Sequence, residues 1–564
     1  MTRSNARIIG ASMLAVGVLL LCALPLIAQD NNTYIQHAVR FAISPPVREL
    51  AKLPQPPQYG FHLANAPRHV PKRSFGPLVD PVEQSSVPAG GVAYSIGANF
   101  LGVGHGFPNY SVPDAPPDTT MAVGDTQILQ WVNVSYTICE KTSPYTCGNA
   151  ILGNTIWSSL GGICASNNDG DIIAQWDVQA HRWLLSQNVF TGSYGVCLAI
   201  SQTNDATGKY YLYEFPVVKS GFPDYPKWGA WPPYQWAETW NDFGPGGSGF
   251  LGPVMCIYNR TKLLAGDTTA EQICHLFTEN EDSLLPADAD SVTPSPNGEA
   301  QFAIGAVGDV DEEHLSLYSG QVNDPNDWTQ GATFTGDNNS QLIAVAAYNP
   351  GCLASGLGDC VPLPGEGNST EGLGDRLMYR FAYWEDQPSA NVQATPPKPA
   401  PSQHWLVNHS VIASGGNAGV RWYEFTTPIK NVPVTSLGVF QQGTYAPDGT
   451  NWRWMGSLTR DKVGDILLGY SEASTTQYPS VYITGRQVND PLGLGNLEAE
   501  TLVVAGTGSQ SDTSGRWGDY SSTRIDTNDG HNGCIFWYTQ EFYMVTATFD
   551  WSTQINSAQF SNCN

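Results

Sequence analysis

The sequence lacks the signatures of several common enzyme classes. It contains no Gly-x-Ser-x-Gly motif, no His-Glu-x-x-His motif and no Walker loop. These absences argue against an α/β-hydrolase, a zinc protease of that type and a P-loop nucleotide-binding protein. No two cysteines are separated by only two residues, so the usual spacing of a structural zinc site is absent as well. Long amphipathic helical periods are also missing, which leaves β-structure as the dominant class.

Charged residues are scarce, at 14% of the chain, yet the net charge is −25. An acidic surface argues against nucleic acid and anionic membranes as partners. It is compatible with a neutral polymer, a cationic ligand or calcium, and equally with acidity that only keeps a secreted protein dispersed.

The N-terminus predicts secretion. Arg3 and Arg7 precede an apolar stretch that ends at Ile27, and the small residue Ala28 follows it. This is the pattern of a signal peptide over residues 1–28. The alternative is an uncleaved membrane anchor, but no basic cluster follows the stretch. We therefore expect a secreted, periplasmic or extracellular protein that has no membrane association after cleavage.

Cysteine counting supports an oxidising compartment. Of the eleven cysteines, Cys22 lies in the predicted signal peptide and ten remain for five bridges. Nearness in sequence favours the pairs Cys139–Cys147, Cys164–Cys197, Cys256–Cys274 and Cys352–Cys360, and Cys534 and Cys563 are the two cysteines that remain.

The amino-acid composition of the chain changes near residue 90. Residues 29–90 are rich in proline and predict an extended leader or pro-segment. Residues 91–564 are rich in β-formers, aromatics and glycine and predict one domain. Two long loops are expected within it, at Tyr348–Gly374, with the Cys352–Cys360 staple, and at Glu385–Gln403.

A Gly-Asp or Asp-Gly turn followed by an alternating apolar run recurs along this domain. Its copies are Val123–Asp125, Asp169–Asp171, Val307–Asp309, Val463–Asp465 and Asn528–Gly530. Such a phrase is typical of a β-hairpin, and its repetition predicts an all-β fold, a β-propeller of about seven blades with long disulfide-stapled loops. A packed β-sandwich or two smaller domains is the competing division.

Several polar and aromatic phrases stand apart from ordinary core strands. The most distinctive are Gly374–Arg380, Met455–Arg486 and Arg516–Tyr543. From about residue 116 to 543 the chain resembles secreted bacterial proteins described as sialidase-like or BNR-repeat propellers. The resemblance implies a propeller. The strict Asp-box, Ser-x-Asp-x-Gly-x-Thr-Trp, is not matched; the nearest segment, Pro447–Trp452, has its Asp displaced by one place, which argues against true sialidase activity.

A sialidase-type site combines arginines that bind a carboxylate with a Tyr–Glu nucleophile pair and an acidic proton donor. The predicted catalytic residues are Asp118, Asp375, Tyr423, Glu424 and Asp519. The predicted substrate-binding residues are Asp224, Trp228, Arg376, Arg380, Arg421, Arg486, Arg516 and Trp517. The alternative is that such arginines and acids lock blades together through buried ion pairs. The tryptophans could likewise stack on sugars or fill the wedges between blades.

No cofactor is required by this chemistry, but acidic turns offer oxygen ligands for calcium. The candidate ligands are Asp169, Asp171, Asp526 and Asp529. The predicted function is a secreted carbohydrate-active protein, a glycoside hydrolase with an extracellular glycan as substrate. The alternative is a non-catalytic propeller that binds glycan or protein.

Overall fold

The protein is described by a computed structural model that covers residues 32–53, 62–63, 79–87, 90–277, 282–291, 299–306, 312–352, 359–365, 369–386, 403–427, 436–493 and 495–564. The predicted signal peptide, the Val307–Asp309 turn and most of the Glu385–Gln403 loop lie outside these residues. No helix of the described part is long and apolar enough to cross a bilayer.

Strands dominate the described residues. In chain order the first are β1 Thr33–His37, β2 Arg40–Ile43, β3 His62–Leu63, β4 Glu83–Gln84, β5 Tyr94–Leu101, β6 Asp114–Ala115, β7 Thr120–Val123, β8 Gln127–Val132, β9 Ser135–Glu140, β10 Ile151–Leu152, β11 Ile173–Asp177, β12 Arg182–Val189, β13 Gly195–Ser201, β14 Tyr210–Pro216, β15 Phe222–Trp231, β16 Gln235–Gly244, β17 Ser248–Asn259 and β18 Glu271–Leu276. The others are β19 Leu285–Ala289, β20 Gln301–Ala306, β21 His314–Val322, β22 Ala332–Thr335, β23 Leu342–Ala344, β24 Asp359–Pro362, β25 Ser369–Glu371, β26 Met378–Glu385, β27 Gln403–Ile412, β28 Ala418–Thr426, β29 Gly438–Tyr445, β30 Trp452–Arg460, β31 Ile466–Ala473, β32 Ser480–Arg486, β33 Thr501–Val504, β34 Ser522–Asp526, β35 Ile535–Phe542 and β36 Ser552–Phe560. The α-helices are short: α1 Val47–Leu50, α2 Gly162–Ser166 and α3 Arg260–Ala265.

These strands form a seven-bladed β-propeller, as the repeated hairpin phrase predicted. The blades are β7–β10, β11–β14, β15–β18, β19–β22, β26–β29, β30–β33 and β34–β36, numbered 1 to 7. Consecutive strands within a blade are antiparallel. Each innermost strand contacts the innermost strand of the next blade, and the contact between β34 and β7 closes the ring. We call the face at which the innermost strands begin the upper face.

The ring is closed by an early strand. β5 pairs with β36 and supplies the outermost strand of blade 7. Blade 7 is thus built from both ends of the domain, so the ring cannot open without breaking a row of ladder hydrogen bonds.

Aromatic side chains fill the spaces between sheets. Sixteen of the seventeen tryptophans are buried. Trp131 stands 6.0 Å from Trp157, and Trp454 stands 5.4 Å from Trp517, measured between ring centroids. A fully buried Trp replaced by Ala typically costs about 3–5 kcal/mol, so these contacts are a major source of stability.

The Gly-Asp phrases divide into two kinds. Val123–Asp125, Val463–Asp465 and Asn528–Gly530 each lie in the turn between the first and second strands of a blade, as a hairpin signal should. Asp169–Asp171 instead lies in the connection that leads into β11. There, Gly170 (φ 105°) and Asp171 (φ 48°) both have positive φ, so glycine serves a bend between blades and not a hairpin.

All five predicted disulfides are formed: Cys139–Cys147, Cys164–Cys197, Cys256–Cys274, Cys352–Cys360 and Cys534–Cys563. Five disulfides fit an oxidising, extracytoplasmic compartment.

Residues ahead of the predicted boundary at 91 add strands to three blades. β1 pairs with β18, β2 pairs with β14, and β4 runs parallel to β29. These pairings satisfy backbone groups on outer edges that would otherwise be free to join other chains. Strands from both sides of the boundary therefore share the same sheets, although composition changes there. Removal of residues 29–90 as a pro-segment stays a prediction.

A buried ion pair fastens this leader to blade 5. Arg421 Nη2 donates to Asp80 Oδ1 over 2.7 Å, and Thr444 Oγ1 donates to Asp80 Oδ2 over 2.7 Å. Both charged side chains are almost completely buried. Arg421, a predicted substrate-binding residue, is thus engaged within the scaffold.

Asp80→Ala should lower the free energy of unfolding by about 3–5 kcal/mol, because it leaves the Arg421 charge buried and unpaired. Urea denaturation monitored by tryptophan fluorescence measures this. The control is Arg48→Ala, which breaks the exposed Arg48–Asp205 pair of the same leader and should cost less than about 1 kcal/mol. Equal costs for both variants would contradict the structural role of the Asp80–Arg421 pair.

A second prediction concerns pH. Glu238 in β16 is fully buried and accepts a 2.5 Å hydrogen bond from Tyr258 Oη. Burial raises the pKa of Glu238 from 4.5 to about 8. The folded protein therefore keeps a proton that the unfolded chain releases, and this contribution to stability, present in full below about pH 4.5, is lost as the pH rises to about 8.

The unfolding free energy of the wild type minus that of Glu238→Gln should consequently fall by up to ~1.4 kcal/mol per pH unit across this window. Denaturation at several pH values between 5 and 8 gives this difference. A flat Glu238→Gln curve would show that the carboxyl is already ionised in the folded state.

Candidate functional site

The central channel is filled by a buried polar network, here called the axial network. Arg380 of β26 donates to Asp288 and Asp290 with four hydrogen bonds of 2.6–2.8 Å. Arg524 of β34 donates to Asp288 over 2.6 Å and to Tyr379 Oη over 2.7 Å. Burial alone would raise the pKa of Asp288, but the two guanidinium groups outweigh it and lower the pKa.

The axial network reaches every innermost strand. Its further contacts are Arg524 to Met121 O of β7, Gln175 of β11 to Tyr379 Oη, Ala230 N of β15 to Asp288, and Thr459 of β30 to Asp290. Arg380, predicted to bind substrate, is therefore fully enclosed by groups that join the blades.

Above this network lies a second set of polar side chains, the upper-face cluster. An aspartate lies close to the start of the innermost strand in six of the seven blades: Asp118, Asp171, Asp224, Asp282, Asp375 and Asp519. The basic members are Lys227, Arg376 and Arg516, and two buried glutamates, Glu371 and Glu541, complete the set. The fold thus brings together six predicted site residues (Asp118, Asp224, Asp375, Arg376, Arg516 and Asp519) and the predicted calcium ligand Asp171.

The backbone that carries these aspartates bends sharply. Asp118, Asp171, Tyr225 and Ser283, at or next to the aspartates of blades 1 to 4, have φ between 45° and 57°. A non-glycine residue in the left-handed region costs of order 1–3 kcal/mol and persists only where the surroundings impose it. The repeated bend turns each aspartate towards the same end of the channel.

Asp118 is the most enclosed carboxyl group. Its Oδ2 accepts a hydrogen bond of 2.8 Å from Asn133 Nδ2, and its Oδ1 accepts one of 2.7 Å from the backbone N of Asp519. Burial first, and then the charges of Asp519 and Asp171, raise the pKa of Asp118 well above its usual range. It is a carboxylic acid that favours its neutral form.

Arg516 forms ion pairs with two carboxylates. Its Nη2 stands 2.9 Å from Asp519 Oδ1, and its Nη1 stands 3.4 Å from Glu371 Oε1. Close opposite charges of this kind favour the ionised form of a carboxyl group.

Arg376 and Asp375 form a second pair. Arg376 Nε and Nη2 donate to the two oxygens of Asp375 over 3.0 and 2.8 Å. Both residues follow the stapled Tyr348–Gly374 loop, which closes at Gly374. A Cβ atom at Gly374 would lie 2.1 Å from Gly351 N, so only glycine fits this crossing.

Lys227 lies beneath the cluster. Its Nζ stands 3.4 Å from the ring centroid of Tyr225 and 3.9 Å from that of Tyr520, and it donates to Pro226 O over 2.9 Å. Burial lowers the pKa of Lys227 to about 7, although Asp171, Asp519 and Asp118 oppose that shift. Cation–π contact with two rings helps to hold the charged form in this enclosed position.

Asp224 differs from the other aspartates. It is only 4% exposed, and within the described residues its carboxyl group makes no hydrogen bond or ion pair. Burial, followed by the charges of Asp171 and Asp519, raises the pKa of Asp224 well above its usual range despite Arg376 and Arg516. It is therefore a proton donor without an internal acceptor, beside the ion-paired Asp519.

The remaining predicted residues lie elsewhere. Tyr423 in β28 is buried with its Oη 2.9 Å from His409 Nε2. Its neighbour Glu424 stands 2.7 Å from His404 Nδ1 and 3.3 Å from Arg460 Nη1. Arg486 donates to the backbone O of Asn496 over 3.2 Å and of Asp490 over 3.0 Å. The fold does not bring these side chains to the upper-face cluster.

The two predicted tryptophans pack inside the protein. Trp228 is fully buried, with its ring 4.7 Å from Tyr258. Trp517 is fully buried, with its ring 5.7 Å from Tyr543. Both positions fit the alternative that the tryptophans fill the wedges between blades instead of stacking on sugars.

The predicted calcium ligands are dispersed. Asp169 accepts from the backbone N of Phe190 and Thr191, Asp526 pairs with Lys141 over 2.8 Å, and Asp529 binds four backbone N–H groups of its own turn. Across the described ranges no group of three or more His, Cys, Asp or Glu side chains is arranged to hold a metal ion. Calcium binding stays a prediction.

Sequence reasoning missed Lys227, Tyr225 and Tyr520 as part of the site. Lysine is rare in this chain, and Lys227 lies in the same Asp-Tyr-Pro-Lys-Trp phrase as Asp224. The sequence Asp-Tyr also recurs at 519–520, which was an available signal that two blades present equivalent tyrosines.

A cavity of about 160 Å³ opens at the other ends of the innermost strands, lined by Trp231, Pro233, Tyr234, Glu299 and neighbouring residues. It contains none of the clustered acids and arginines. The cluster, and not this cavity, is the candidate site, because it brings the proton donor Asp224 together with ion-paired carboxylates from several blades at one end of the channel.

Comparisons with known proteins identify no family for this chain. No protein-family model and no curated protein sequence matches this chain. Among solved structures, a mutant of AofleA from Arthrobotrys oligospora aligns with a TM-score of 0.35 and 9% identity over 76% of this chain and 96% of that chain. The phage phi92 endosialidase aligns with a TM-score of 0.33 and 8% identity over 80% of this chain and 69% of that chain. The Penicillium chrysogenum alpha-L-arabinanase complexed with arabinobiose aligns with a TM-score of 0.29 and 11% identity over 61% of this chain and 94% of that chain. The fold assignment rests on the strand order given above.

Arg380→Lys tests the structural role of the axial network. Lysine cannot reproduce the two forked contacts, so unfolding should become easier by about 1.5–3 kcal/mol. Thermal unfolding by calorimetry measures the loss. The control is Arg182→Lys, at the first residue of β12, where the guanidinium donates to the backbone oxygens of Ala180 and His181. A variant as stable as wild type would mean that the forked contacts contribute little.

Proposed function

We propose that the protein is a secreted glycoside hydrolase that cleaves an extracellular glycan at the upper-face cluster. The observation that carries this proposal is the pairing of unlike carboxyl groups. Asp224 is buried and has a raised pKa, and its carboxyl group has no hydrogen-bond partner within the part of the chain that the structure describes, whereas Asp519 is ion-paired with Arg516. Glycosidic cleavage uses a protonated carboxyl to donate to the leaving oxygen and an ionised one to act as base or nucleophile.

In this mechanism Asp224 protonates the glycosidic oxygen. On the opposite side of the sugar ring Asp519 is the base that activates the attacking water, or the nucleophile that attacks the anomeric carbon itself. Arg516 keeps Asp519 ionised and fixes its orientation. Burial keeps Asp118 neutral, and the hydrogen bond that Asp118 accepts from the backbone N of Asp519 helps to position Asp519. Lys227 limits the negative charge around Asp171 and Asp519.

Secretion supports the same reading. Residues 1–28 have the pattern of a signal peptide, and five disulfides suit an environment in which polymeric glycans are the available substrates.

Asp224→Asn should reduce hydrolysis by about 10²–10⁴-fold, because the amide cannot donate a proton to the leaving group. The measurement is reducing-end release from a panel of polysaccharides. The wild-type rate should also fall as the pH rises through the raised pKa of Asp224, since only the protonated form is active.

The matched control is Asp242→Asn, which alters a buried aspartate of the neighbouring strand β16 outside the cluster. It should retain wild-type activity. Undiminished hydrolysis by Asp224→Asn would refute the assignment of the acid. If the wild type binds glycans on an array but releases none, the non-catalytic binding function replaces hydrolysis.

A further inference from the structure

The arginines of the upper-face cluster are already occupied by the protein's own carboxylates. Arg376 uses its Nε and Nη2 on Asp375, and Arg516 uses its Nη2 on Asp519. Recognition of a substrate carboxylate by arginine depends on an open guanidinium fork. An acidic sugar would have to displace an internal carboxylate to obtain one.

The third cation is no more accessible. Lys227 is fully buried, and its Nζ is enclosed by the rings of Tyr225 and Tyr520 and by Pro226 O. No basic group of the cluster therefore presents an open fork or an exposed ammonium group to an incoming anion.

Acidic groups also outnumber basic ones in the cluster. Its carboxyl groups are Asp118, Asp171, Asp224, Asp282, Glu371, Asp375, Asp519 and Glu541, against Lys227, Arg376 and Arg516. The carboxyls raise one another's pKa: Asp118 and Asp224 by Asp171 and Asp519, and Glu541 by Glu371 and Asp519, each in addition to burial. A further anion at this site would meet the same repulsion in a poorly solvated environment.

We propose that the site selects uncharged glycans and excludes those that carry sialic or uronic acid carboxylates. The proposal rests on the proposed function, in that a glycan is the ligand. It assigns Asp375 and Asp519 a second role, which is to occupy the arginines that would otherwise bind an acidic sugar.

The test uses a glycan array in which every acidic oligosaccharide is accompanied by its carboxyl-reduced, uncharged form. Wild-type protein should bind the reduced forms at least tenfold more tightly than the acidic parents. Asp375→Asn releases the fork of Arg376 and should improve binding of acidic glycans at least tenfold, while Asp242→Asn should leave the ratio unchanged. If Asp375→Asn does not fold, Asp519→Asn removes the shorter of the two ion pairs of Arg516, frees its Nη2 and serves the same purpose.

The outcomes separate the two proposals. Wild-type preference for acidic glycans would overturn the selectivity but leave a glycan-acting function standing. Absence of any wild-type binding or hydrolysis would contradict the proposed function. In that case acquisition of acidic-glycan binding by Asp375→Asn would still support the selectivity, and its failure to acquire such binding would overturn it.

Discussion

The fold depends on the axial network, in which Arg380 and Arg524 neutralise Asp288 and Asp290 at the centre of the ring. A propeller converges seven strands on one axis, and their inward side chains must either leave a channel or fill it. Here charged groups fill it, and each finds partners on several strands. Removing one member would strand a buried charge, which costs more than the pair contributes. The network therefore enforces one arrangement of the blades, and only within that arrangement do the loops at the upper face meet.

The same logic explains the order of the two polar layers. The charged groups of the axial network are ion-paired, so the network supports the structure without reacting. In the upper-face cluster carboxyl groups outnumber basic groups, and the carboxyl group of Asp224 has no hydrogen-bond partner within the described residues. An unsatisfied buried group is unfavourable for stability and is tolerated mainly where function requires it. Stability and reactivity are thus assigned to different polar layers along the axis.

Much of the fold could be predicted from local sequence. Hairpin turns such as Val463–Asp465 predict the antiparallel strand pairs. Cysteines that are close in sequence are also close in space, so they predict disulfides. The pairing of β1, β2 and β4 with distant blades could not be predicted, because outer-edge ladders use backbone groups that leave no residue signature. For the candidate site, Asp118, Asp375 and Asp519 could be singled out from the sequence because each precedes a strand in a polar segment. Tyr423 and Arg421 lie in an equally distinctive phrase, but in the third strand of blade 5, where side chains pack between sheets.

The contrast between Arg376 and Arg380 shows why sequence spacing alone cannot assign such roles. The two arginines are four residues apart in one phrase and are chemically identical. Arg376 precedes β26 and lies at the upper face, where it is paired with its neighbour Asp375. Arg380 lies within β26, points into the channel and is bound by residues of β19 and the segment after it. If β26 began at an earlier or later residue, Arg376 and Arg380 would lie in different environments from those seen here. Just ahead of β26, Gly374 passes so close to Gly351 that only glycine fits, so a residue without a side chain helps to place Arg376 at the upper face.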